Sequence, residues 1–157
     1  ELKKLALYCH GNGTVTDDDV VEAIGDVAAL SVDDAVDAVF SGDPVRLEAA
    51  LERILASKTS VFLVLRSCIM QFEQLDAMRS LVENHGRHPA QALTERGRGI
   101  HFKRKPVVER ALRHWRLEAI NREMRRLSEA VLDTRRRPQL EASIARQALL
   151  RACLLSR

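Results

Sequence analysis

Residues 14–43 read TVTDDDVVEAIGDVAALSVDDAVDAVFSGD, and the punctuation of this stretch decides the fold class. Thr16 and Ser31 are residue types that cap helix N-termini well, and each is followed three positions later by an acid, Asp19 and Asp34. Gly25 and Gly42 stand where a left-handed residue ends a helix. Acids crowd the first turns, where the helix dipole favours negative charge. The stretch therefore predicts two short capped helices in tandem, about 17–24 and 32–41.

Working outward, the helical reading continues on both sides. Before the stretch, a helix over about Glu1 to His10 sets Leu2, Leu5, Ala6 and Cys9 together, and Gly11-Asn12-Gly13 breaks it. It has no N-cap before Leu2, so the chain is expected to be part of a longer protein. After the stretch, Asp43-Pro44 is a cap followed by proline at N1, and it opens a helix to about Ser57. Leu47, Ala50, Leu51, Ile54 and Leu55 mark its inner face. Ser60 then caps the longest helix, about Val61 to Asn84. Its first half is apolar on nearly every side, from Val61 to Phe72, which predicts the central helix of a bundle, surrounded by neighbours.

Two short helices follow, from His88-Pro89 to near Gly97 and from Pro106 to Trp115. A long one runs from about Leu117 to Arg135, with Ile120, Met124, Leu127, Val131 and Leu132 inward. The last, Leu140 to Leu155, presents Leu140, Ile144, Ala148, Leu150 and Leu154. Alternating strand patterns and hairpin signals are missing, and aromatic residues are only 4% of the chain, which favours helix packing over a sheet. At 157 residues the chain is long enough to bury a core without disulfides or metals. Cys9, Cys68 and Cys153 are odd in number and widely spaced, the pattern of buried, reduced cysteines in a cytoplasmic protein.

The net charge of +3 conceals a polarity. Residues 1–86 hold 7 Lys/Arg against 15 Asp/Glu, and residues 87–157 hold 18 against 7. Such a chain can meet an acidic partner with one end, pair head to tail with neighbours, or bind nucleic acid.

Site chemistry is thin. Gly11-Asn12-Gly13-Thr14 lacks the Lys-Ser/Thr of a phosphate loop, and Asp17-Asp18-Asp19 are consecutive rather than spaced as calcium ligands. His85-Gly86-Arg87-His88 has zinc-like spacing, but glycine and the following proline put it on a turn. No catalytic, cofactor-binding or metal-ligating residue is expected. The one tempting feature is the basic stretch around Phe102: Arg98, Lys103, Arg104 and Lys105, with Arg122, Arg125 and Arg126 further on, are candidate contacts to nucleic acid or a partner. The competing expectation is a solvated loop with Phe102 anchored in the core. Trp115 is expected to be a packing anchor.

Taken together, LSVDDAVDAVFSGD, the helices of 45–57 and 61–81, and the basic crossover GIHFKRKPVVERALRHW of 99–115 resemble the delta subunit of the bacterial DNA polymerase III clamp loader. The resemblance implies an all-α fold: residues 1–28 as the last helices of an AAA+ lid, and 30–157 as the helical collar that assembles the clamp-loader ring. It implies a non-catalytic role in DNA replication, with the motor and delta-prime subunits as partners through the collar. Primer-template DNA would be met in the full complex, and the sliding clamp through an N-terminal domain that has no counterpart in these residues. It implies no cofactor, no membrane and a cytoplasmic location. The alternative is a free-standing helical nucleic-acid-binding protein using residues 98–137.

Overall fold

The computed structural model describes residues 30–157, and these form an all-α bundle with no strand. The expectations for Thr16, Gly25, Cys9, His10, the aspartate triplet and the lid helices lie outside the described residues. We number the helices in chain order: α1 (30–41), α2 (Pro44–Ala56), α3 (Phe62–His85), α4 (Pro89–Arg96), α5 (Lys105–His114), α6 (Leu117–Arg136) and α7 (Glu141–Leu155). Short 3-10 turns at Phe102–Arg104 and Pro138–Leu140 lead into α5 and α7.

The punctuation reads out largely as spelled. Gly42 takes φ +69°, and the Asp43 and Gly42 amides donate to the Ala38 and Val39 carbonyls, so the orphan carbonyls of α1 are satisfied by a Schellman turn. Asp43 then caps α2 by accepting from the Arg46 amide at 3.0 Å, and Ser60 Oγ accepts from the Phe62 amide at 3.2 Å. At α4 an unforeseen cap does the same work: His88 Nδ1 accepts from the Ala90 amide, and Gln91 Oε1 accepts from the His88 amide. Ser31 is a correction. It is helical and buried rather than a cap, because α1 already runs at residue 30. Asp34 turns outward to pair with Arg46 and Arg53 of α2.

The longest helix is central, packing against α4, α5, α6 and α7. Phe72 sits in the middle of the core, 4.5 Å from the Phe40 ring of α1 and 5.2 Å, edge-on, from Trp115. Around it Leu47, Leu51, Ile54, Leu65, Leu75, Met78, Leu112, Ile120, Leu127 and Leu149 are fully buried. Each such side chain contributes roughly 1.5–3 kcal/mol of apolar burial. Cys153 of α7 lies against α1, its Sγ 3.5 Å from the Ala38 carbonyl oxygen.

Several inner faces differ from those expected. Leu63 and Met70 of α3 are exposed, so this helix keeps one solvent face despite its apolar run. Leu55, Leu132, Leu140 and Leu154 also point outward. On α7 the buried set is Ala145, Leu149, Ala152 and Cys153, one register step from the Ile144–Leu154 stripe. That helix is apolar on more than one side, and small residues win the inner face because α2, α3 and α6 close in on it.

The elbow between α5 and α6, where Trp115 is buried, is also fixed by polar contacts. Arg79 of α3 donates from one guanidinium nitrogen to the Leu112 carbonyl at 2.6 Å and from Nε to Glu83 at 2.7 Å. Glu83 accepts in turn from the Leu117 amide in the first turn of α6, a cap supplied by a different helix. These bonds, the Arg79 bond foremost, hold the Glu83 carboxyl below its ordinary 4.5. The contribution is therefore whole above that pH and is lost as pH falls through the lowered folded value. Arg79→Ala is expected to cost about 1–3 kcal/mol at neutral pH by stranding the Leu112 carbonyl. Urea unfolding should also show the gap between wild type and Glu83→Gln closing in acid. An unchanged midpoint for Arg79→Ala would remove the elbow's role.

Candidate functional site

Four of the seven candidate contact residues lie in one segment, residues 98–105, made of the loop, the 3-10 turn and the first residue of α5. Gly99 lets the chain reverse there, at φ +93° with open space where a Cβ would stand. His101 caps the 3-10 turn, its Nδ1 accepting from the Lys103 amide at 3.3 Å. Arg104 alone turns inward. Its Nε donates to Asp37 at 2.8 Å and a second nitrogen lies 3.6 Å from Asp33, so this guanidinium is a strut tying the loop to α1. Arg98, Lys103 and Lys105 remain exposed, with no ion pair among the described residues.

Phe102 contradicts the expectation that it anchors in the core. It is 68% exposed, its ring 4.5 Å from that of His101, with the Lys103 ammonium 6.0 Å from its centroid. Trp115, by contrast, is 3% exposed and is the packing anchor expected.

The other three candidates stand on α6, whose packing partners are α3 and α7, not the loop. Arg126 is bonded at 2.6 Å to Glu123, a carboxylate only 1% exposed that sequence reasoning missed. Arg122 lies 3.9 Å from Glu118. Arg125 is exposed and has no ion pair among the described residues. The seven therefore divide into an outward cationic loop with one strut, and a helix face already partly neutralised by its own acids.

A cleft of about 320 Å³ lies under the loop, lined in part by Asp33, Ser67, Met70, Gln71 and His101. Asp33, Ser67 and His101 are the residue types of a hydrolytic triad, and the geometry is not one. A triad needs a nucleophile–base hydrogen bond and an orienting carboxylate on the base. Here His101 Nδ1 is occupied by a backbone amide, Asp33 faces Arg104, and no hydrogen bond joins Ser67 to His101. The two described thiols are no better as nucleophiles: burial pushes Cys68 up to about 12 and Cys153 up to about 11. Among the described residues, no cluster of three His, Cys, Asp or Glu is placed to hold a metal; His85 ends α3 and His88 caps α4, on either side of the turn at Gly86. Among them, too, no helix is long and apolar enough to cross a membrane.

Comparison with protein families, with curated proteins and with solved structures finds no match to this chain.

Proposed function

We propose that the chain is a non-catalytic assembly module of the bacterial replication machinery, the collar of a clamp-loader delta subunit preceded by the end of its lid. The observation that carries the reading is the helix order. A short helix stopped by Gly42, the Asp43-Pro44 helix, a 24-residue central helix, a basic crossover and a final long pair follow in the sequence the resemblance implies. The surface adds support. Val45, Leu63, Met70, Leu132 and Leu154 are large apolar side chains left facing outward, as a subunit that packs against unlike neighbours requires. In this reading the protein acts in the cytoplasm, needs no cofactor of its own, and meets the motor and delta-prime subunits through these outer faces.

The test is assembly. Mixed with the motor and delta-prime subunits, the chain should enter a complex of defined mass by light scattering. Paired Leu132→Asp and Leu154→Asp substitutions should weaken entry by tenfold or more. A chain that stays at its own 17.7 kDa overturns the reading. The second reading, a free-standing nucleic-acid-binding protein using residues 98–137, draws on the exposed cations of the loop and of Arg125.

A further inference from the structure

The central helix leaves one face in water, and that face has a pattern of its own. Leu63, Arg66, Met70, Glu73 and Ala77 of α3 all face solvent, Leu63 being 43% and Met70 51% exposed. Leu65, Cys68, Phe72 and Leu75 of the same helix turn into the core. Alternate spacings of three and four residues set the five within about 80° of the helix circumference, the kind of seam along which helices pair. Arg66 and Glu73 have no ion pair among the described residues. The stripe is complementary to itself about Met70: a cation and a large apolar group lie before it, an anion and a small apolar group after it. A basic or an acidic partner would satisfy one of the two charges and repel the other. A second copy of the chain, run antiparallel, satisfies both.

We propose that two copies of the chain pair through this face, their α3 helices antiparallel and crossing at Met70. A two-fold axis there sets Met70 against Met70 of the other copy. Leu63 then faces Ala77, large against small, on both sides of the axis. Arg66 comes within one residue of register with Glu73 of the other copy, an offset of about 1.5 Å along the helix that the two side chains span. Two ion pairs thus close the seam. A parallel pair would instead set Arg66 on Arg66 and Glu73 on Glu73. The contact is one helix face wide, at the small end of specific interfaces, so the dimer forms in concentrated solution and the chain is monomeric when dilute. This pairing goes beyond the assembly reading, whose test lies at Leu132 and Leu154 on α6 and α7, and either can fail alone.

The experiment is light scattering of the full chain over a rising concentration series. The mass should climb from 17.7 kDa toward twice that value and stop there, as a closed two-fold contact requires. Arg66→Glu or Glu73→Arg alone puts like charges across both pairs, and each should weaken pairing by about tenfold or more. Mixing the two single variants sets opposite charges at both places and should restore the dimer, as should both changes in one chain. Orientation is read with a short bis-maleimide. Met70→Cys should be joined to its own copy, and Ala77→Cys should not, because an antiparallel seam holds the two positions 77 about 21 Å apart. Wild type is the control for the native thiols. All these positions are solvent-facing, so every variant should unfold in dilute solution at the wild-type temperature. A mass fixed at 17.7 kDa at every concentration overturns the proposal, and so does a mass that climbs past the dimer. A dimer indifferent to Arg66→Glu overturns it too, as does a loss that mixing the variants does not repair. Cross-linking through Ala77→Cys but not Met70→Cys would rule out the antiparallel seam.

Discussion

Phe72→Ala is expected to destabilise the bundle by about 3–5 kcal/mol, with a fall in Tm on the order of 10–20 °C. The side chain is fully buried at the meeting point of α1, α3 and the α5–α6 elbow, where it touches the rings of Phe40 and Trp115. Truncation removes the transfer free energy of the ring. It also leaves a cavity walled by elements that other contacts hold in place, so the site cannot collapse to fill it. The control is two residues away on the same helix. Met70 is half exposed, and Met70→Ala should stay within about 0.5 kcal/mol of wild type. Equal effects at the two positions, read by calorimetry, would show that the faces of α3 are assigned wrongly.

Arg126→Met should cost about 2–3 kcal/mol. Among the described residues its partner Glu123 is the one buried carboxylate, and the 2.6 Å bond from the guanidinium is its hydrogen bond there. Removing one member of a buried pair leaves a charge out of water without compensation. The Arg126 side chain is 37% exposed, so water reaches the vacated site and keeps the cost toward the low end of that effect. The double change Glu123→Met with Arg126→Met should recover most of the loss, because two apolar groups replace the pair. Urea midpoints of the single and double variants check this, and a double variant less stable than Arg126→Met would count against it.

Helix punctuation was legible in the sequence because caps are local. Gly42, Asp43-Pro44, Ser60 and Gly86 act within four or five residues of themselves, so their chemistry fixes the boundaries without tertiary knowledge. The inner faces of α2, α6 and α7 were less legible. Leu55, Leu132 and Leu154 sit at helical spacing from buried residues, and an apolar stripe wider than the contact leaves its edges outside. Which edge is left depends on where the neighbouring helices cross, a long-range fact. The same limit hid Arg79 and Glu83, ordinary i,i+4 partners until Leu112 and Leu117 arrive from another element. In the candidate site, the basic stretch was visible as composition. The strut role of Arg104 was not, since Asp37 lies 67 residues away. The exposure of Phe102 was not legible either, since an aromatic in a basic stretch reads equally as an anchor or as a surface group.

The contact of α7 with α1 joins residues 115 positions apart, Cys153 to Ala38. Most other packing in the bundle joins helices nearer in sequence, which can form and fray piecewise. This closure cannot. The last helix, already held by α2, α3 and α6, is tied through this contact to the first described helix, whose Phe40 ring stands 4.5 Å from that of Phe72. Opening at either extremity therefore spreads to the other, and slow amide exchange in α1 and α7 should rise and fall together as one cooperative unit. Among the described residues, the first and last helices, rather than the central one, are thus the latch on the bundle.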